Sequence, residues 1–356
     1  MASTPLDAVA KQVLGHYPFL NGIATLYPLG NCGGFSGARL WRVDGTAGRW
    51  CLRAWPPDYP NSDQLDTIHG LMRLAREMGL LFVPTVLTTH QGITWVAGAD
   101  RLWEVSTWMT GQADFHSHPT NARLQAACSA LARLHLAWEP GSPQIGRLPS
   151  LQRRFDVVRD WMNWTRTGWQ PEQAVSCTDP LRFQVERAWP ILQKRIPLIP
   201  QSLAPWISRP LPLQPCLCDI WHDHVLFSGE EVTGLVDFGS IKVDHVAIDL
   251  SRLLGSLIDD DAEAWRKGIE VYSQIHPLTA GDISLIRILD ETGILLGAAN
   301  WLIWLYRDRR AFENKEQVVR RLGVLVERLE KRERRGIPGA VSILEPAPLS
   351  PGPHPP

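Results

Sequence analysis

One stretch limits the fold more than any other: Leu213 to Asp249, LQPCLCDIWHDHVLFSGEEVTGLVDFGSIKVDHVAID. It reads as a short approach strand, a polar loop and a β-hairpin. The hairpin arms are His224–Phe227 and Val232–Asp237, and Ser228-Gly229-Glu230-Glu231 supplies the turn between them. Folding back about that turn sets His224 opposite the neighbourhood of Val236 and Asp237. The loop carrying Asp219 leaves from the same end, so Asp219 and Asp237 are expected to face one cleft. A chain of 356 residues is long enough to surround such a hairpin with one large domain or two coupled lobes.

Two carboxylates across a cleft suit phosphoryl transfer, which needs positioning and charge neutralisation more than covalent chemistry. One carboxylate can orient an attacking hydroxyl and accept its proton, and the other can hold a divalent metal on the nucleotide phosphates. Asp237-Phe238-Gly239 has the form of the metal-binding triplet of kinase-type folds. Its weight comes from its place, one hairpin after a polar Asp loop and just before a second acidic element, Asp244-His245-Val246-Ala247-Ile248-Asp249-Leu250.

Through these residues the chain resembles the aminoglycoside phosphotransferase and choline kinase superfamily of small-molecule kinases. The family pattern is His-Gly-Asp, four residues, Asn, a hairpin and an Asp-Phe-Gly-like motif. The resemblance implies that Asp219 is the catalytic Asp, Asp237 the metal-binding Asp, and Asp249 the acid that braces the catalytic loop. Two positions depart from the pattern. Leu217-Cys218 stands where His-Gly is usual, and His224 stands where the metal-binding Asn is usual. Mg²⁺ prefers oxygen ligands, whereas imidazole suits Mn²⁺ or Zn²⁺ better. A second metal is then either held differently, with His224 as a candidate ligand and Asp223 beside it, or absent, and Mn²⁺ is an alternative to Mg²⁺. The implied fold is α+β and two-lobed like a protein kinase: a small antiparallel-sheet lobe over 1–105, a larger mainly helical lobe over 106–336, and a Pro-rich, disordered tail over 337–356. The implied cofactors are ATP and Mg²⁺.

The remaining segments are read against that expectation. Residues 6–20 predict an amphipathic helix. A Gly-rich turn, Gly30 to Gly37, leads into the strand ARLWRV, so it is neither a P-loop nor a dinucleotide fingerprint. Gly33, Gly34 and Ser36 are candidates to cover nucleotide phosphates; the alternative is a plain surface turn. Arg53, central in RWCLRAW, takes the place of the kinase strand Lys. The helix over 62–78 offers Asp66 and His69, and no Glu, as its partner. A hairpin is expected at Val83–Thr89 and Ile93–Val96. The strand Arg101–Met109 is the expected hinge, which makes Glu104 and Ser106 candidate cofactor contacts. Thr120-Asn121 caps a helix in which His135 is read as structural, and prolines from Pro190 to Pro212 punctuate the approach to the catalytic segment.

Asp223, Asp259 and Asp260 are candidate substrate residues for a cationic acceptor such as an amino sugar, the last two being otherwise the acidic start of a helix. Trp161, Trp164, Trp301 and Trp304 are read as an aromatic wall or as core. Gly293–Tyr306 is too short to span a bilayer and is expected to be a buried helix. A net charge of −1 argues against a nucleic-acid partner, and the six scattered Cys without CxxC spacing indicate a reducing, cytoplasmic setting. No signal peptide or membrane segment is read. Two other functions remain open. One is a nucleotide-binding or regulatory protein that keeps the fold without catalysis. The other is a metallohydrolase built on Asp219, His222, His224 and Asp237, whose ligands would diverge if DIWHDH were extended.

Overall fold

The structure is a computed structural model that describes residues 5–20, 25–31, 34–46, 48–142, 144–171 and 179–335. The expected tail, 337–356, and Gly33 lie outside the described residues. The chain divides into two compact units: 1–150, 209–286 and 312–317 form the first, and 151–208, 287–311 and 318–356 the second. Both the sheet and the Leu213–Asp249 stretch belong to the first unit, and the expected boundary at 105/106 falls inside it.

The first unit opens with helix α1 (Pro5–Leu14) and a five-stranded antiparallel sheet. Its strands are β1 (Thr25–Gly30), β2 (Arg39–Gly45), β3 (Gly48–Ala54), β4 (Val96–Gly98) and β5 (Arg101–Thr107), in the order β1-β2-β3-β5-β4. Alternation drives the pairing. Trp41, Val43, Trp50, Leu52, Trp103 and Val105 point to one face and pack against Ala10, Val13, Leu14 and Tyr17. Helix α2 (Ser62–Glu77) begins in a capping box in which Asn61 and Gln64 exchange hydrogen bonds, and it buries Leu65, Ile68, His69 and Met72.

The hairpin expected at 83–96 closes only at its turn, where Thr89 N donates to Ile93 O at 2.8 Å, and its arms form no ladder beyond it. Leu87 N donates to Val105 O and Thr107 N to Thr85 O, so residues 85–87 run along the edge of β5 that β4 begins. Pro84 and Gly92 favour this irregular path over a ladder of the segment with itself.

Helix α3 (Asn121–Ala137) starts at Thr120, whose hydroxyl accepts from Arg123 N. A three-stranded sheet joins β6 (Gln144–Gly146), β7 (Leu211–Cys216) and β10 (Lys242–Asp244), in the order β10-β7-β6. Between β7 and β10 lies the hairpin β8 (Val225–Ser228) and β9 (Glu231–Leu235), turning at Gly229 with φ 61°. Gly111 is the one residue type that fits beside it, because a Cβ there would sit 2.3 Å from Thr233 Oγ1 and 2.7 Å from Phe227 O. Helices α7 (Ala247–Ile258) and α8 (Ala262–Ile275) follow.

The second unit is helical. It holds α4 (Pro149–Arg166, from residue 151), α5 (Arg182–Arg195), α6 (Ile199–Ile207), α9 (Ala280–Leu302, from residue 287) and α10 (Lys315–Arg334, from residue 318). Prolines expected as punctuation sit inside helices instead: Pro190 in α5 and Pro205 in α6. Each forfeits one intrahelical bond, and both helices keep a buried stripe, Trp189 and Leu192 in α5, Leu203 and Trp206 in α6. Trp161 packs edge-on against Trp169 and tilted against Trp189, so this cluster is core. The segment Ala280–Arg307 is long and apolar enough to cross a membrane, but 67% of its most apolar window is buried in the fold, as a core helix would be.

Candidate functional site

The site lies within the first unit, where the loop after β7, the hairpin end, β3, β5 and α7 converge. Its centre is His224, in a short turn of His222–His224 that precedes β8. Its Nε2 is 3.7 Å from Asp237 Oδ2, and the charge of Asp219 acts on the same ring. Burial holds the His224 pKa below its usual value despite both carboxylates, so the imidazole is neutral at pH 7. Its Nε2 accepts a 2.8 Å hydrogen bond from the Trp221 indole N–H, and the backbone of Asp219 lies against the ring. The turn replaces the extended run considered for DIWHDH, so His222 faces away from this pair and stacks edge-on against His116, with centroids 4.4 Å apart.

Asp237 terminates the hairpin in the left-handed region, φ 65° and ψ 66°. Its Oδ1 accepts from Arg53 Nη1 at 3.1 Å. Burial would raise its pKa, but Arg53, His224 and the Gly239 amide together hold the carboxyl below its usual value. Gly239 has a packing reason: a Cβ there would lie 2.7 Å from the Trp55 ring.

Arg53 extends from β3 over the face of Trp55, 4.5 Å from its centroid, and links two acids. One is Asp237; the other is Glu104, 3.9 Å away and opposite Arg53 in the β3–β5 register. The Glu104 carboxylate is buried and also bonds His69 Nε2 at 2.6 Å and Trp55 Nε1 at 2.9 Å. Burial opposes its charge, and the His69 bond and Arg53 outweigh that and lower its pKa. Thus α2 supplies His69 to the pair, as one of the two expected candidates, while the pairing acid comes from β5. Ser106 lies two residues along the same strand, opposite Cys51.

Asp249 is fully buried at the start of α7. Its two oxygens accept the amides of Leu217 and Cys218, both at 2.6 Å, and His135 Nε2 lies 3.0 Å away. His135 Nδ1 meets Tyr272 OH at 2.6 Å. His135, Asp249 and Cys216 bring three ligand-type atoms within 4.8 Å of one another. The Asp249 oxygens are already occupied by amides, and burial pushes the Cys216 thiol well above its usual pKa, so the cluster is a hydrogen-bonded brace.

Asp219, about half exposed, forms an ion pair with Arg252 of α7. The sequence signal for Arg252 was only its place three residues after Asp249. Ser256, four further on, accepts from His222 N at 2.9 Å. In the Gly-rich turn, Gly34 N bonds Asn31 O at 2.7 Å and Ser36 Oγ accepts from Ala38 N. Phe312 packs edge-on against Phe35, and Glu313 bonds Asn31 and Arg39. Asp223 lies 3.4 Å from His222 Nε2. Asp259 and Asp260 follow α7; the Asp259 carbonyl accepts from Trp265 Nε1, and Asp261 caps α8.

A strand arginine paired with a strand acid, an Asp-Phe-Gly triplet beside it and a braced Asp loop together define a kinase-like phosphotransferase. The chain belongs to the phosphotransferase enzyme family, whose model matches residues 30–281. It is 27% identical over 215 residues to homoserine kinase of Beijerinckia indica subsp. indica, covering 57% of this chain and 59% of that protein. The match thus spans about three-fifths of the length of that curated relative. Solved structures share the fold. Spectinomycin phosphotransferase in complex with ADP and spectinomycin superposes with a TM-score of 0.65 at 12% identity, covering 92% of this chain and 98% of that one. The microcompartment-associated aminopropanol kinase gives 0.64 at 18%, covering 92% and 98%. A choline/ethanolamine kinase family protein of Mesorhizobium loti gives 0.57 at 18%, covering 92% and 96%. The α+β, protein-kinase-like fold is therefore the fold of this protein.

Proposed function

We propose that the protein is an ATP-dependent kinase that phosphorylates a hydroxyl of a small molecule. One observation carries the reading: Asp219 and Asp237 both act on the single imidazole of His224, while Arg53 holds Asp237 from the sheet side. The acceptor oxygen attacks the γ-phosphorus of ATP, the bond to the β-phosphate oxygen breaks, and ADP leaves. Asp219 orients the hydroxyl and takes its proton, within the 2.6–3.2 Å reach that a general base needs. Arg53 and the backbone of the Gly-rich turn, with Gly33, Gly34 and Ser36, hold phosphates. Glu104 keeps Arg53 in place, and Ser106 lies on the strand that leads to the nucleotide base. Asp249 fixes the loop by its two amide bonds.

The donor set suits a divalent cation. Asp237 has an accessible carboxylate edge, about 45% exposed, and the neighbouring imidazole is neutral. Asp237 would hold Mg²⁺ or Mn²⁺. His224 joins it only by giving up the Trp221 bond, which favours Asp237 as the main ligand. When bound, the ion neutralises phosphate charge.

The test is nucleotide turnover with Mg²⁺ and Mn²⁺ over hydroxy amino acids, amino alcohols and sugars. The relative's activity on homoserine and the aminopropanol kinase neighbour motivate the first two classes. Asp219→Asn is expected to lower turnover by roughly 10²–10⁴-fold and to leave ATP binding intact. A second reading, a nucleotide binder without catalysis, is favoured by Arg252 on Asp219 and by Trp221 on His224. Metal-independent ATP binding with no turnover of any acceptor would establish that second reading.

A further inference from the structure

The cation on Asp219 has consequences for what can be phosphorylated. Arg252 and Asp219 are both about half exposed, 41% and 48%, so the pair is open to solvent rather than buried in the core. The other acids around the loop each have a partner, Asp237 on Arg53 among them. His116 and His222 stack on each other, and Asp223 is turned to His222. Asp249 is spent on two amides.

A hydroxyl that reaches Asp219 therefore arrives next to a fixed positive charge. An acceptor with an ammonium near its hydroxyl would meet repulsion there. One with a carboxylate near its hydroxyl would meet a fork-shaped donor already matched to a carboxylate, since Asp219 is the group it holds. Exchange is chemically balanced: Arg252 releases one carboxylate and takes another, and Asp219 is freed to accept the hydroxyl proton. A phosphate-bearing alcohol would fit the guanidinium too, but it would put a second dianion beside the phosphates of ATP.

We propose that Arg252 is the acceptor-anchoring residue and that the acceptor class is a short hydroxy acid, with its carboxylate a few bonds from the hydroxyl. This rests on the kinase reading of the site and replaces the expectation of a cationic substrate at Asp259 and Asp260. Asp249, Arg252 and Ser256, at spacings of three and four, present one face of α7 to the loop. The anchor is thus carried by the helix that also braces the base.

The experiment compares L-homoserine with 3-aminopropan-1-ol, which differ by the carboxylate alone, and adds glycerol 3-phosphate as the phosphate-bearing arm. The parent is expected to favour homoserine in kcat/KM. Arg252→Gln is expected to shrink the homoserine-to-aminopropanol ratio by roughly 10- to 100-fold, the range for losing a hydrogen bond to a charged group. The loss falls mainly on KM, and Arg252→Lys recovers part of it. A merely structural role would lower both substrates together and leave the ratio within about twofold, and that result overturns the proposal. A parent preference for 3-aminopropan-1-ol or for glycerol 3-phosphate overturns it as well, as does silence on all three acceptors. Titration with MgATP separates the two readings. Nucleotide binding with phosphorylation of amino alcohols leaves the kinase reading standing and removes this one; no nucleotide binding removes both.

Discussion

Cys218 sits at φ 61°, in the left-handed region where only glycine is at ease, and its amide must be there to reach Asp249. The family's usual glycine at this position has a plain reason, and the thiol chain bears strain of about 1–2 kcal/mol. Cys218→Gly is expected to leave the amide bond in place and to raise stability by up to about 1 kcal/mol, measured by urea unfolding. Gly239 carries the opposite sensitivity. Gly239→Ala would press on Trp55, whose indole bonds Glu104 and whose face supports Arg53. We expect a loss of about 1–3 kcal/mol in the same assay and weaker nucleotide binding by calorimetry. At this scale Asp219 and Asp237 could be picked out from their places around one hairpin, and Asp249 from the family resemblance of the same stretch. Arg252 and Trp221 could not, because whether they touch the loop depends on a helical phase and a turn that no local pattern specifies.

The loop from 217 to 222 has little regular structure of its own, and α7 holds it at three points. The first of these is the most demanding. Asp249→Asn keeps one acceptor but turns an amide N–H₂ toward a backbone donor in a dry site. It is expected to cost about 2–3 kcal/mol, read from chemical unfolding, and to reduce turnover more than it reduces ATP affinity. Local rules worked for the elements that local chemistry decides. Asn61 with Gln64 and Thr120 with Arg123 are caps visible in the sequence. They failed for 83–96 because a neighbouring strand edge was the better partner. They failed at Pro190 because a buried helix face outweighed one lost bond. The kinase resemblance puts the partner of Arg53 on α2, whereas the register of β3 with β5 sets Glu104 opposite it, and register is a long-range property.

For the molecule as a whole, net stability is a small difference between large quantities, so one buried acid can shift its pH range. Burial would raise the pKa of Asp282, but His245 at 3.3 Å and the Thr279 amide and hydroxyl hold it down, at about 2. Its folded pKa is below its unfolded value. The stabilisation is therefore complete above about pH 4 and is lost as pH falls toward 2, an amount of about 2 kcal/mol. Urea midpoints for the parent and Asp282→Asn should differ at pH 6 and converge near pH 2. The pairing of Arg53 with Glu104 has a different reach. In protein kinases the partner acid rides on a movable helix, and displacing that helix switches the enzyme off. Here the two residues face each other on one rung of the β3–β5 ladder, so the sheet sets them opposite each other, while His69 of α2 bonds the same carboxylate. On the proposed kinase function, a pair fixed by strand register offers no helix-driven throttle at that point.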